Sequence, residues 1–440
     1  MASSTTAVID QLKTVFSSKV VTPDVESEYQ TAVAVPWSQT CWTPAAGYVY
    51  LSNAQELNEA LEIVKKTGTK FTIRTTGHNP NIGFSSADEM AVVLDIRQFQ
   101  TKKLGSDGVA RVGSGNTWGE VYAWLEEQKL SAIGGRDQQV LLADGRLVNA
   151  NEKENVDLYR ALKGGGSNFG IVTRFDLETH PLINVQYTIN LYNPEDHVEI
   201  NKATVAVQNA MEDYPKIGLF TNFNNGFVAV GLLYGDIPTE RPTTFEPFYN
   251  LKSSMTTVLP STNGTLLSLA QAMGHKQEAK KRAICTMTTK VSQELYEDVY
   301  KLWTETCKSL PADAVLHYTI QPFGKAGVRA GKDRGDNIMG HESIPQCWWV
   351  FTCEWPQEGS DDAAAQKAVA TMAESVESLA SGKNLLLDFK CMSFANAHQK
   401  VLRSYGADNV ERMQEVAAKY DPEGLLQKLQ HGGFLLRDNI

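Results

Sequence analysis

The sequence predicts an α+β protein of two domains, and three observations carry that prediction. The chain has 440 residues, 42% of them hydrophobic, more than one compact core accommodates. Helices alternate with short strands as far as residue 182. Beyond Leu182 the texture changes to alternating strands punctuated by long helices. That pattern reads as an antiparallel sheet with helices on one face.

In the first part, Ala54 to Thr67 repeats apolar positions at helical spacing. Lys70 to Arg74, Met90 to Asp95 and Ala110 to Gly113 predict short strands, and Trp118 to Gln128 a short helix. In the second part, strands are expected at Val185 to Tyr192, Phe227 to Tyr234, Ala283 to Thr289, Val315 to Gln321 and Trp348 to Trp355. Helices are expected at Val198 to Tyr214, Gln293 to Leu310 and Ala363 to Ala380.

Composition narrows the function classes. A net charge of −10 argues against nucleic acid as partner, because no basic stripe exists to neutralise phosphates. No run of about 18 apolar residues is present, so no membrane span is expected. The Ser/Thr-rich start lacks the basic residues and apolar block of a secretory signal, so the expected location is cytoplasmic. The six cysteines show no metal-ligand spacing and are expected as free, mostly buried thiols, with no metal site. No protein partner is read from the sequence.

Three glycine-bearing stretches hold the candidate chemistry. The first runs from Phe71 to Gly83 and carries His78 in a glycine loop. Such loops let a backbone approach a flat ligand or cradle an anion, although a lone histidine is more often a surface or core residue. The second, Gly113 to Tyr122, reads either as a ligand loop or as a strand-to-helix connection capped by Asn116 or Thr117. The third, Leu162 to Glu178, packs four glycines into seven residues. They precede a period-two strand and no helix, which is the wrong context for a Rossmann fingerprint.

As an ordered set these stretches resemble the flavin-dependent oxidases related to berberine bridge enzyme and vanillyl-alcohol oxidase. Arg74-Thr-Thr-Gly-His78 resembles that family's first flavin loop, and Val112 to Tyr122 its second glycine turn. Leu142 to Asn151 and Arg160 to Gly166 resemble its later strand and loop, and Ser404 to Met413 with Lys419 to Gly424 its closing segment. The resemblance implies a two-domain, PCMH-type FAD-binding fold. Residues 1–182 would form the FAD domain, 183–387 an inserted substrate domain, and 388–440 the return to the FAD domain.

The resemblance implies FAD as cofactor, covalently held through His78. It assigns cofactor binding to Arg74, Thr75, Thr76, Gly77, His78, Asn79, Gly83, Gly113, Gly115, Gly134, Gly135, Gly170, Val172 and Asn409. It places the catalytic base on the substrate-domain sheet, with Tyr318 and Glu354 as candidates; either reads equally as an ordinary strand residue. The implied reaction is hydride transfer from a small organic substrate of secondary metabolism to the flavin, with O₂ as acceptor.

One departure stands out. In the family, the segment matching Gly134 to Val140 leads into a further glycine loop and a few dozen more residues. Here Val140 joins Leu141 directly. A lost exon, a variant with weakened flavin binding, or a substitute loop each accounts for the gap. The corresponding alternatives to an oxidase are a flavin-free relative that binds and cyclises a small molecule, or a truncated, non-functional product. A parallel crossover needs about a dozen residues. The direct join is therefore expected to cost neighbouring strands their ladder partners and to weaken FAD binding.

Overall fold

In the computed structural model, residues 4–274, 278–358 and 361–440 are described. They divide into two compact units, one of residues 1–181, 337–339 and 400–440, the other of 182–336 and 340–399.

The first unit is built on two main sheets, beside a short antiparallel pair of Leu130–Ser131 with His180–Pro181. In the smaller, Gly47–Tyr50, Ala91–Asp95 and Lys70–Arg74 run parallel, and Val20–Val21 closes one edge antiparallel. All five residues of Ala91–Asp95 are buried, as a central parallel strand covered on both faces requires. The helix Ala54–Thr67 buries Leu57, Ala60, Leu61 and Val64, one stripe at helical spacing. Its start is capped by the Asn53 side chain, which accepts from Glu56 N at 3.0 Å, and its end by Gly68 in the left-handed region. That stripe meets Val92 and Leu94 from one face of the sheet, together with Val8 and Leu12 of the helix Ser4–Phe16.

The larger sheet of this unit is antiparallel, in the order Lys102–Leu104, Val109–Gly113, Ile171–Glu178, Gly135–Leu141, Leu147–Ala150. The expected break at Val140–Leu141 is corrected here. Both residues lie inside one strand. Val140 pairs with Val172 on one side and Val148 on the other, and Leu141 with Ile171 and Leu147. The ladder is antiparallel and Leu147 returns through a tight turn, so no crossover helix is needed and no partner is lost. The irregular place lies earlier, where Ile133 is 65% exposed beside an exposed Gly134.

The second unit carries an eight-stranded antiparallel sheet, in the order Ser254–Thr265, Asn184–Tyr192, Phe227–Tyr234, Ile217–Asn224, Val315–Phe323, Gln346–Trp355, Lys281–Lys290, Leu386–Leu387. All five expected strands are present. Ser254–Thr265, Ile217–Asn224 and Leu386–Leu387 were not read from the sequence. The helices His197–Ala210, Gln293–Cys307 and Asp362–Gly382 cover one face, burying Ile200, Leu295, Val299, Val369 and Met372 against it. Ser254–Thr265 is a largely exposed edge strand whose pairing with Asn184–Tyr192 slips at three places.

Residues 388–399, expected to rejoin the first unit, pack with the second. Gln399 explains part of this: its side chain accepts from Thr286 N at 3.1 Å and donates to Thr286 O at 2.7 Å. The six cysteines are free thiols, and burial pushes that of Cys41 up to about 11. Among the described residues no helix is long and apolar enough to cross a membrane, and no His/Cys/Asp/Glu cluster suits a metal ion.

Candidate functional site

The strand Lys70–Arg74 ends in the loop that carries His78. Arg74 is fully buried and clamps this loop from below. Its Nε donates to Ser85 O at 2.8 Å and its Nη1 to Ala32 O at 2.7 Å, and the guanidinium lies over the Tyr48 ring. Burial lowers its pKa, opposed by nearby Asp95. Arg74 therefore shapes the loop, with one atom to spare: its Nη2 is sealed from solvent without a partner.

Above Arg74 the loop is pinned at chosen points. Trp37 N donates to Gly77 O at 3.0 Å and Cys41 Sγ to Asn79 O at 3.8 Å. Gly77 sits at φ +73, a conformation that favours glycine. His78 is exposed, and its ring lies 4.8 Å from that of Trp37. The backbone N–H groups of Thr75, Thr76, Gly77 and Asn79 have no partner among the described residues. Successive free N–H groups in a pinned loop form a nest for anionic oxygens.

A second set of free donors lies at Gly166 and Ser167, with Gly166 at φ +66. Asn168 fixes this loop and was missed in the sequence. Fully buried, it donates to Gly165 O (2.7 Å) and Phe434 O (2.9 Å). Its Oδ1 accepts from Gln427 Nε2 (2.8 Å) and Leu436 N (2.9 Å), tying the C-terminal segment to the loop.

The second glycine turn behaves otherwise. N–H groups of Gly113, Ser114, Gly115 and Asn116 all donate to backbone carbonyls, and that of Thr117 to Glu120. A Cβ on Gly113 would lie 2.2 Å from Phe99 O, and one on Gly115 2.5 Å from Arg97 O. These glycines admit a close backbone neighbour, and Thr117 with Glu120 forms a capping box. The turn has no backbone N–H left for a phosphate, so Gly113 and Gly115 serve close packing rather than the anion contact expected of them.

The other expected residues are equally placeable. Gly83 N donates to Ser86 Oγ at 3.2 Å, so Gly83 stiffens the first loop. Gly170 lets Val140 pack closely, and Val172 pairs with Val140. Asn409 donates to Tyr405 O at 3.0 Å within its own helix start. Gly134 is exposed with nothing near it, and Gly135 is held in the sheet opposite Leu177.

In the second unit the two catalytic candidates separate. Tyr318 is 0% exposed in the helix-covered core, stacked on Phe223 at 4.7 Å and edge-on to Trp303. Burial raises its pKa well above the usual tyrosine value, and its hydroxyl has no partner. Nothing from solvent reaches it, so Tyr318 is a packing residue and not a base. Glu354 lies on the opposite face, its Oε1 accepting from Arg282 Nε at 2.6 Å. On the same face His317 lies diagonal to Glu354, and burial lowers the His317 pKa despite that carboxylate. Four residues along the strand from His317, Gln321 faces Trp348. The Trp348 ring stacks on Phe323 at 4.4 Å and belongs to a cluster with His341 and Phe389.

A family model described as an FAD binding domain matches residues 45–150. An FAD-dependent monooxygenase of Arthrobotrys oligospora is 34% identical, over 96% of this chain and 88% of its own length. The chain belongs to the family of this FAD-dependent oxidoreductase. A Penicillium terrestre FAD-dependent monooxygenase is 29% identical over 94% of the chain and 86% of its own length. The aligned stretch with the Arthrobotrys enzyme, 457 residues, exceeds this chain's 440, so that oxidoreductase carries residues without counterpart here. The fold matches solved oxidases. Carbohydrate oxidase from Microdochium nivale superposes with a TM-score of 0.77 at 16% identity, covering 97% of this chain and 100% of that one. Glucooligosaccharide oxidase from Acremonium strictum gives 0.77 at 17%, covering 95% and 97%.

The residues present fit the family's FAD. The dinucleotide is anionic and needs unpaired N–H donors, which Thr75 to Gly77, Asn79, Gly166 and Ser167 supply. Arg74 Nη2, Ser85 Oγ, Ser114 Oγ and Gln138 Oε1 are buried polar atoms with no protein partner in the same unit. A ligand bound there can complete their hydrogen bonding.

Proposed function

We propose that this chain is an FAD-linked oxidase of a small organic metabolite, with O₂ as the final acceptor and His78 as the covalent flavin anchor. The free donors of the Thr75–Asn79 loop are the observation that carries the reading. They stand beside an exposed imidazole on a loop pinned by Trp37 and Cys41. When bound, FAD supplies the acceptor for the substrate's hydride, and the protein supplies position and electrostatics.

The chain's own residues do the rest. The loop N–H groups take the negative charge of the cofactor. Arg74 holds the loop by bonds to Ser85 and Ala32, so the donors are set before the ligand arrives. A covalent bond at His78 requires a neutral imidazole nitrogen as nucleophile, and its exposed position leaves the ring accessible. In the glucooligosaccharide oxidase from Acremonium strictum the flavin is a 6-S-cysteinyl, 8α-N1-histidyl FAD, which supports a histidyl link here. On the second unit, Glu354 is paired with Arg282, and His317 offers the one imidazole of that strand pair.

The test is acid precipitation of the purified protein followed by measurement of flavin in pellet and supernatant. Flavin should stay with the pellet in the natural chain and move to the supernatant in His78→Ala. Pelleted flavin in the variant would place the anchor elsewhere. A protein with no flavin in either fraction would sink the oxidase reading and favour a flavin-free binder.

A further inference from the structure

On the sheet face away from the covering helices, one side chain has its proton position settled by its neighbours. The Asn222 amide nitrogen donates to Thr319 Oγ1 at 2.7 Å and approaches the Tyr318 carbonyl at 3.4 Å. Asn222 Oδ1 accepts from Asn224. The Tyr318 carbonyl only accepts and Asn224 donates to the amide oxygen, which together assign the Asn222 nitrogen to the His317 side. The same amide nitrogen lies 3.2 Å from His317 Nδ1. Nδ1 therefore accepts, and in the neutral ring the proton sits on Nε2. That Nε2 has no partner in the protein and is not sealed from solvent. His317 thus presents one directed N–H donor.

The surroundings of this donor are graded along the sheet. His317, Thr319 and Gln321 share one face, as alternate residues of a strand must. His317 pairs with Thr352, Thr319 with Val350, and Gln321 with Trp348. From His317 to the Gln321–Trp348 pair is four residues, about 13 Å at strand rise. The far end is an aromatic platform in which Trp348 lies on Phe323 and against Phe389. The near end is polar, but its charges cancel between Glu354 and Arg282. A fully charged ligand group gains little there, whereas a neutral oxygen acceptor matches the His317 donor.

We propose that His317 is the specificity-determining residue of this face, donating from Nε2 to a carbonyl or hydroxyl oxygen at one end of a flat, conjugated substrate whose other end rests on Trp348. This deepens the oxidase reading by naming its substrate class. His317 acts as a donor and does not abstract a proton.

The test is binding of two probes, 4-hydroxystilbene and trans-stilbene, to the full chain and its variants, followed by ligand fluorescence. The natural chain should prefer the hydroxylated probe by about tenfold, the size of one directed hydrogen bond. His317→Ala should abolish that preference, and His317→Gln, which keeps a donor, should restore much of it. Trp348→Ala should weaken both probes alike. A preference that survives in His317→Ala overturns the proposal, as does a Trp348→Ala variant that binds both probes unchanged. Flavin absorbance of the same preparations tests the oxidase reading separately. A flavin-free preparation that still discriminates the probes through His317 would sink that reading and leave this one standing.

Discussion

His341 sets a measurable acid sensitivity into the second unit. It is 8% exposed, edge-on to Phe389 at 4.1 Å and close to Phe323 and Trp348, and its Nε2 has no partner. Burial lowers its pKa to about 4, against a slight rise from Asp336 and a slight fall from Lys332. In the unfolded chain a histidine titrates near 6.5. Between those values the unfolded state binds the proton and the folded state does not, so stability present above the unfolded pKa is lost as pH falls toward the folded one. At 1.36 kcal/mol per unit, going from neutral pH to about pH 4.5 removes about 2.5 kcal/mol through this group alone. Carboxylates titrate nearby, so the informative quantity is a difference. Urea unfolding of the natural chain and His341→Phe across that range should show the natural chain losing about that amount of stability relative to the variant as pH falls. Parallel curves would show that the ring is protonated in the folded state and that the burial argument is wrong.

Three further outcomes follow from particular contacts. Tyr318→Phe removes a buried hydroxyl that has no partner, so urea unfolding should show unchanged or raised stability, by up to about 1 kcal/mol, with turnover intact; a large loss of turnover would restore Tyr318 as a base. Gly113→Ala drives a methyl into Phe99 O and should cost about 2–4 kcal/mol, read as a fall in thermal midpoint. Asn168→Ala deletes four hydrogen bonds, three of them from the glycine loop to the C-terminal segment. A loss of about 3–4 kcal/mol is expected, with faster amide exchange at residues 434–436 before global unfolding; uniform exchange would refute the local tether.

Most elements were legible because their signals are local. Ala54–Thr67 carries a cap, an apolar stripe and a closing glycine within sixteen consecutive positions, and Val315–Phe323 of the second unit alternates between buried and part-exposed residues. Ile217–Asn224 escaped because Asn222 and Asn224 read as loop residues; only the neighbouring strands make them ladder partners. At the candidate site, the sequence located the Thr75–Asn79 loop, whose glycine and histidine are adjacent. It could not distinguish a loop with spare donors from one without. The turn at Gly113–Thr117 has the same glycine signature, yet long-range partners at Phe99, Thr101 and Thr173 consume its N–H groups. The resemblance offered Tyr318 and Glu354 together because it puts the base on the substrate-domain sheet, and the sequence does not say which face of that sheet the helices cover. The supposed break at Val140–Leu141 failed for a related reason. Strand direction decides whether a short connection suffices, and direction is set by partners far along the chain.

The edge strand Ser254–Thr265 bears on how this protein behaves at high concentration. Its uncharged outer row, with Met255 56% and Val258 59% exposed, is the kind of surface that invites another chain to add a strand. Two of its features work against such stacking. Pro260 offers no N–H at its middle, and the three slips in its register twist the row out of line. Irregular pairing opposes strand addition, so regularising this strand, for instance by replacing Pro260 with valine, would trade solubility for a smoother sheet.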